Sequence, residues 1–203
     1  MRSIQKKFMI PVICAALAGV LAIGVNSINP IFAYLTDNGE STNVLSVGSN
    51  EISVVETFNP STPETGTNTY TKTVNIKNTG TVPCYIRVFL EFSSDKVRGE
   101  STVSADGTNY YSLSDFRTEH LPTGWVYVDT GDLGPYYYYT QPVSPNASTS
   151  NLLHSFKTTF ATDLDIEDFD IYVYAESIQT LNNNGKEFTG TDPWRQAWTE
   201  YLS

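Results

Sequence analysis

The sequence predicts an all-β fold: an antiparallel two-sheet sandwich of the jelly-roll type, with short peripheral helices and an N-terminal signal segment. Short segments in which apolar and polar residues alternate recur along most of the chain, and turn residues separate them. No strong helical segments lie between these strand candidates, which favours antiparallel strands in two packed sheets. About 170 residues follow the predicted signal, and at this length the jelly roll is the version of the sandwich that we expect.

The first 33 residues have the pattern of a secretory signal. Basic residues in the first seven positions precede an uncharged run of 18 residues, 8–25, and the small residue Ala33 stands just before Tyr34. A basic start, an apolar stretch and a small residue at the cut site are typical of a cleaved signal peptide. We therefore expect cleavage between Ala33 and Tyr34, which leaves residues 34–203 as a single secreted domain. A retained membrane anchor is the alternative, since about 18 apolar residues suffice to span a bilayer.

The secreted part of the chain is acidic and has one cysteine. Three of the 12 basic residues precede residue 8 and all 22 acidic residues follow residue 36, so residues 34–203 carry nine bases and a net charge of −13. Such a surface repels phosphate backbones, which disfavours nucleic acid as a partner. Cys84 is the only thiol left after cleavage, so it cannot form an intramolecular disulfide. We expect a buried small side chain there; a reactive thiol is the alternative.

Seven segments have the pattern of β-strands. In the clearest, residues 82–92, six apolar side chains including Cys84 share one face, so we expect that face in the core and the other face half exposed. Residues 69–81 precede it and contain the turn residues 78–80, which predicts that the two segments form a β-hairpin. The other strand candidates are residues 51–56, 125–129, 136–140, 152–161 and 171–178.

Two segments have a helical pattern. Residues 112–121 are expected to form one or two turns behind a serine cap. The stronger candidate is residues 192–203, in which Asp192 can cap the helix, Pro193 suits its first position and two tryptophans share one face. We expect this helix to cover the sandwich core; a partner-binding or membrane-lying helix is the alternative.

The sequence has no motif that points to catalysis. Its two histidines, His120 and His154, are 34 positions apart and do not form the HExxH arrangement of zinc proteases. The sequence also lacks the G-x-S-x-G, GxGxxG and phosphate-loop patterns. We therefore expect no catalytic residue and no cofactor, and we expect His154 at the core edge of a strand.

An acidic segment offers the one weak candidate for a cation site. Five carboxylates lie within eight residues, Glu167 and the four candidate ligands Asp163, Asp165, Asp168 and Asp170. Carboxylates are the oxygen ligands that Ca²⁺ takes, but the spacing is not that of an EF-hand and the turn glycine is missing. The apolar residues between them favour a solvated loop attached to the core; a Ca²⁺ site is the alternative.

Residues 136–139 are four consecutive tyrosines. On a strand, alternate side chains point to opposite faces of the sheet, so two of these rings are expected in the core and two on the outside. Outward rings are suited to binding sugars or to packing against a neighbouring subunit.

Five short motifs follow one another in a recognisable order. They are AYLTD at residues 33–37, NVLSVG at 43–48, VNIKNTG at 74–80, CYIRV at 84–88 and YVYAESIQ at 172–179. The first, placed after an apolar signal, resembles the junction that SipW-type signal peptidases cut. The other four resemble segments of the TasA/camelysin (CalY) family of Gram-positive bacteria. The resemblance extends over nearly the whole chain.

This resemblance implies a secreted protein of the cell surface or the biofilm matrix with a jelly-roll domain. TasA-like members assemble into fibres in which an N-terminal strand of one subunit completes the sheet of the next. Camelysin has been classed as a metalloprotease, but the sequence offers no site for that activity.

Removal of the signal would make residues 34–48 the free N-terminus. The apolar residues of this segment lie at its two ends: Tyr34, Leu35, Val44, Leu45 and Val47. An extended strand of one chain can satisfy the open sheet edge of another, and such a heterologous contact propagates into a filament. Pairing of this strand within its own sandwich is the alternative.

These observations together predict a non-enzymatic structural subunit of an extracellular fibre or biofilm matrix. Its expected partners are further copies of itself, a SipW-type signal peptidase, and other matrix proteins or polysaccharide. Two alternatives remain open. One is a monomeric cell-surface adhesin that uses the tyrosine-rich face, and the other is a camelysin-like metalloprotease.

Overall fold

The computed structural model describes residues 49–59 and 61–203. The described chain forms nine strands, β1 (Ile52–Asn59), β2 (Gly66–Asn78), β3 (Cys84–Phe92), β4 (Ser101–Ser104), β5 (Tyr111–Ser112), β6 (Trp125–Val128), β7 (Tyr136–Val143), β8 (Leu153–Phe160) and β9 (Ile171–Gln179). Three α-helices are described as well, α1 (Asp95–Gly99), α2 (Leu113–Glu119) and α3 (Pro193–Leu202), with single 3₁₀ turns at Gly131–Leu133 and Asp163–Asp165. None of the helices among these residues is long and apolar enough to cross a membrane.

The predictions for the N-terminus lie outside the described residues. They are the signal at residues 1–33, the cleavage between Ala33 and Tyr34, and the assembly strand at residues 34–48 with Leu35, Val44, Leu45 and Val47.

The strands form two antiparallel sheets that pack face to face. The five-stranded sheet has the order β1-β2-β8-β4-β5, and the four-stranded sheet has the order β6-β7-β3-β9. Every pairing between neighbouring strands is antiparallel. The predicted all-β antiparallel sandwich is therefore confirmed.

The main core lies between the sheets. Its largest contributions come from β2, β3 and β8, whose inward side chains alternate with outward ones. On β3 the expected inward face is confirmed, since Cys84, Ile86 and Val88 are fully buried. The aromatic part of this core is Tyr70, Phe92, Phe156 and Phe169, whose rings contact one another.

The predicted hairpin of β2 and β3 is wrong. The two strands lie in different sheets: β2 pairs with β1 and β8, while β3 pairs with β7 and β9. Each of them buries a whole apolar face, so they cover each other as opposing layers instead of sharing one sheet. The connection is fixed by the segment before β1, because the amides of Thr79 and Gly80 both donate to the carbonyl of Glu51. A Cβ on Gly80 would lie 2.4 Å from the carbonyl oxygen of Ser49, so this close approach requires glycine.

The outer face of β3 is more buried than the alternation predicts. Tyr85 and Arg87, which were expected to be half exposed, are almost fully buried, because α3 packs on this side of the four-stranded sheet. As predicted, α3 covers the sandwich with an apolar face, in which Trp194, Ala197 and Trp198 are buried. Asp192 occupies the N-cap position, but its side chain makes no capping hydrogen bond.

Candidate functional site at the open side of the sandwich

The two sides of the sandwich end in very different edge strands. On one side the edges are β5 and β6, of two and four residues. On the other side they are β1 and β9, of eight and nine residues. Within the described chain no further strand pairs with the outer edge of β1 or of β9. We call the side formed by β1 and β9 the open side.

The two long edge strands are linked at one end of the open side. Asn50, just before β1, donates from Nδ2 to the carbonyl of Ser177 on β9 at 2.9 Å. The hydroxyl of Ser177 donates in return to Oδ1 of Asn50 at 3.0 Å. Next to this link, Ile52 still packs against the main core.

Further along β1, apolar side chains that face the interior are left uncovered. The β1–β2 register pairs Val54 with Ile76 and Glu56 with Val74, and directly opposed residues share a face. Since Ile76 and Val74 are fully buried, the inward face of β1 carries Val54, Glu56 and, two residues on, Phe58. Yet Val54 is 37% exposed and Phe58 is 44% exposed. The five-stranded sheet thus extends past the core at this edge.

A buried ion pair lies next to these uncovered side chains of β1. Lys72 of β2 is only 4% exposed, and its ammonium donates to the carboxylate of Glu56 on the neighbouring strand. The same ammonium lies 4.8 Å from the centre of the Phe58 ring, a cation–π contact. Glu56 keeps about a third of its side chain in solvent, so the pair connects the core to the open side.

A second polar group of β2 lies close to the ion pair. Tyr70 stands two residues before Lys72 on the same inward face, and its hydroxyl is buried with no hydrogen-bond partner among the described residues. Burial raises the pKa of this hydroxyl. An unpaired buried hydroxyl destabilises a fold, and a new partner for it would stabilise the fold.

The outer edge of β1 has few of the features that usually block strand addition. Natural edge strands are protected by short length, lysine, proline, bulges or inward-pointing charges. Of these, β1 has the inward-pointing carboxylate of Glu56, which is paired with Lys72. The sequence of β1, ISVVETFN, contains neither lysine nor proline, and its pairing with β2 is regular over all eight residues. Val55, on the opposite face, is also exposed.

The four aspartates of the candidate cation site are not brought together. The carboxylate of Asp163 accepts from the hydroxyl of Thr65. The carboxylate of Asp165 accepts from Thr162 and, 3.3 Å away, from Lys96; hydrogen bonds from the Thr162 side chain and Lys96 lower its pKa. Among the residues that the structure describes, including Asp168 and Asp170, no three His, Cys, Asp or Glu side chains are grouped to hold a metal ion.

The two histidines occupy different structural settings. His120 ends α2 and stacks on Tyr111, with ring centres 3.5 Å apart. This stack lines a cleft of about 250 Å³ together with Asp106 and Asn109. The Asp106 carboxylate accepts hydrogen bonds from the backbone amides of Asn109 and Thr108. These hydrogen bonds hold the pKa of the carboxyl well below its usual range. The carboxylate of Asp106 therefore stabilises its own turn, and its oxygens already accept hydrogen bonds from that turn.

His154 is half buried at the position that the sequence predicts, on β8. Its Nδ1 lies 3.3 Å from Oγ of Ser155, but Ser155 is buried and its hydroxyl is also bonded to Tyr110. The ring of His154 packs against the turn at Gly107, where a Cβ would lie 2.7 Å from it. A serine that is closed off in this way does not serve as a nucleophile for an external substrate.

The tyrosine run alternates as the sequence predicts. Tyr137 is buried in the main core and Tyr139 packs against it. Of the two rings on the outer face, Tyr138 is fully buried beneath α3, with its ring centre 5.1 Å from that of Trp194. Tyr136 remains half buried. The outward half of the run is therefore only partly accessible.

Sequence reasoning missed the group that organises this outer face. Arg87 of β3 has its guanidinium 4.0 Å from the ring centre of Tyr136 and 4.4 Å from that of Trp198. The same guanidinium forms an ion pair with Glu176 of β9. An arginine on the polar face of an alternating strand is expected to face solvent. The residues around Arg87 give no indication that a helix more than 100 residues later in the chain covers its side chain.

No protein-family model, no curated protein and no solved structure matches this chain.

Proposed function

We propose that this protein is a secreted structural subunit of an extracellular fibre or biofilm matrix. In this proposal a SipW-type signal peptidase cuts between Ala33 and Tyr34, and residues 34–48 of one subunit then add as a strand to the open side of the next. The observation that carries the proposal is the pair of long edge strands, β1 and β9, on one side of the sandwich. Long, regular edges are templates for pairing with another chain.

The chemistry of the open side supports an incoming strand. Val54 and Phe58 offer apolar contacts on the inward face, and the edge of β1 offers backbone donors and acceptors. An added strand supplies apolar side chains and backbone carbonyls, which are the groups that this surface lacks.

The length of the N-terminal segment also supports the proposal. Residues 34–48 number 15 and end one residue before the described chain begins. Fully extended, they reach roughly 50 Å, whereas the eight residues of β1 extend about 26 Å. The segment is long enough to pair along a whole edge of a neighbouring subunit. Because donor strand and acceptor edge are different surfaces, the contact is heterologous and propagates unless it closes into a ring.

The proposal includes a jelly-roll arrangement of the sandwich. The chain passes from one sheet to the other after β2, β3, β5, β7 and β8. Repeated crossing between two sheets, with strands distant in sequence lying side by side, is how a jelly roll winds.

Electron microscopy of the purified secreted protein tests the proposal. We expect filaments that lengthen with protein concentration, and a chain without residues 34–40 that folds but stays monomeric. A synthetic peptide of residues 34–48 should stop filament growth by occupying the open side. Filaments of the same width from the truncated chain would show that this segment is not the donor.

A pair of matched substitutions separates the open side from general surface effects. Val54→Lys places a charge on the inward face of β1, whereas Leu164→Lys places the same charge on a fully solvated loop residue. We expect Val54→Lys to abolish filaments while the isolated subunit still folds, and Leu164→Lys to assemble as the unchanged chain does.

A further inference from the structure

The outer face of the four-stranded sheet carries a row of side chains that runs across all of its strands. The register pairs Tyr174 of β9 with Phe89 of β3, and Tyr136 of β7 with Val128 of β6. Phe89 and Tyr136 are joined by an edge-to-face ring contact, with centres 6.1 Å apart and ring planes at 65° to each other. The aromatic row is therefore Tyr174, Phe89 and Tyr136, one ring on each of three neighbouring strands. It lies beside the part of the sheet that α3 covers.

The row is accessible to solvent. Tyr174 is 36% exposed, and Tyr172, the next outward residue of β9, is 54% exposed. Phe89 and Tyr136 are half buried and lie outside the main core. Tyr172 and Tyr174 are exposed neighbours on one face of β9, and adjoining exposed rings with a polar rim are typical of an interaction surface.

The rings are held in place by their neighbours. The hydroxyl of Tyr174 donates to the carboxylate of Glu176 at 2.9 Å, and Glu176 is in turn paired with Arg87. The guanidinium of Arg87 stacks on Tyr136. A ring that is fixed before binding loses little conformational entropy when a ligand arrives, so the row is preorganised.

We propose that this aromatic row is a binding platform for an uncharged, extended polysaccharide chain. The faces of sugar rings carry C–H groups that stack on aromatic rings, and tyrosines add polar edges for sugar hydroxyls. Adjacent strands lie about 4.8 Å apart, so Tyr174 and Tyr136, two strands apart, are separated by roughly 10 Å. This is about the length of one disaccharide unit in an extended chain.

The charges around the row favour a neutral ligand. On one side Arg87 is balanced by Glu176, and on the other side Arg98 and Arg117 are balanced by Asp95 and Glu91. The platform therefore has no excess positive charge to attract an anionic polymer, and residues 34–203 as a whole carry a net charge of −13.

The size of the row favours a polysaccharide over a protein. A stable protein interface takes about 20–30 residues on each side, whereas the row comprises three rings with Tyr172 beside them. A single polymer chain fits a narrow line of rings, and many weak contacts along one chain add up through multivalency. This inference does not depend on strand exchange at the open side.

Native affinity electrophoresis tests the platform. The monomeric fraction from gel filtration is run through gels that contain hydroxyethyl cellulose, soluble starch or the acidic polymer alginate. We expect retardation by at least one of the two neutral glucans and none by alginate. Tyr174→Ala combined with Tyr172→Ala should reduce the retardation at least tenfold, whereas Tyr174→Phe, which keeps the ring, should retain most of it.

The matched control is Phe58→Ala, which removes a ring of similar exposure at the open side. It should leave the retardation unchanged. Migration unaffected by both neutral glucans would overturn the proposal. So would retardation that persists in the double alanine variant, or self-association of the monomer through this face.

Discussion

Lys72 on β2 and Glu56 on β1 form an ion pair that faces the interior of the sandwich at its open side. The lysine is almost fully buried, whereas the glutamate reaches solvent. Moving an ammonium group from water into the protein interior raises the free energy of the folded state unless a carboxylate is paired with it. The pair therefore keeps a charged lysine at a core position and ties the edge strand β1 to the sheet.

Glu56→Gln should destabilise the protein by about 1–3 kcal/mol, because it leaves the buried ammonium of Lys72 without a counter-charge. Urea unfolding followed by circular dichroism measures this loss. Lys72→Met, which fills the same space without a charge, should be close to neutral, since a hydrophobic residue of similar size can replace a buried ion.

The double variant Glu56→Gln with Lys72→Met completes the cycle. We expect Glu56→Gln to cost almost nothing in the Lys72→Met background, because no ammonium is then left unpaired. Equal losses in both backgrounds would contradict a specific coupling between the two side chains.

Cys84 should react very slowly with thiol reagents in the folded protein. It is fully buried between the sheets, and burial raises its pKa to about 12, so the reactive thiolate is scarce at neutral pH. Labelling with a chromogenic disulfide in the presence and absence of urea measures the effect on the chain from residue 34. We expect the native rate to lie orders of magnitude below the unfolded rate. Fast native labelling would place Cys84 on the wrong face of β3, since a slip of one residue exchanges the faces.

Local alternation predicts seven of the nine described strands and misses β4 and β5. The inward face of β3 is evident because every second residue is apolar over 11 positions. By contrast, β4 and β5 have four and two residues, too few to show a period. The partner of each strand is not predictable in this way, because β2 pairs with β8 and β3 with β9, and the paired residues lie about 80 to 95 positions apart.

The candidate sites show the same division. The burial of Cys84 follows from the pattern of its own strand. The roles of Lys72 and Arg87 do not, because each depends on side chains from other elements: Glu56 and Phe58 for the lysine, Glu176 and Trp198 for the arginine. Charged side chains within strands are usually exposed to solvent. Only the tertiary structure shows that the side chains of Lys72 and Arg87 are buried.

Asp106 should make the stability of the protein fall in acid. Its carboxylate accepts the backbone amides of Asn109 and Thr108 and the hydroxyl of Ser104, which hold its pKa below the ordinary aspartate value. The folded protein therefore binds this proton less readily than the unfolded chain does. The stabilisation is complete above the unfolded pKa and is lost as the pH falls through the lower folded value.

Unfolding measured from about pH 5 to about pH 2 tests this sign. Asp106→Asn should be less stable than the unchanged chain at neutral pH, and the difference between them should shrink as the pH falls. Thr108→Ala is the control, because Thr108 contributes only its backbone amide and should keep the pH dependence. A constant difference across this range would contradict the role given to the ionised carboxylate.

Helix α3 should leave the sheet when Trp198 is removed. Trp198 is fully buried, and its ring contacts Tyr138 and the guanidinium of Arg87, so Trp198→Ala should cost about 3–5 kcal/mol of docking. A ten-residue helix is not stable in water without such packing.

Digestion with trypsin measures the release of the helix directly, because Arg195 lies within α3 and is cleaved only when the helix unfolds. We expect cleavage after Arg195 in Trp198→Ala while the rest of the sandwich resists. Tyr201→Ala, which removes a mostly exposed ring from the same helix, should stay as resistant as the unchanged chain; equal resistance of both variants would show that α3 docks without the indole of Trp198.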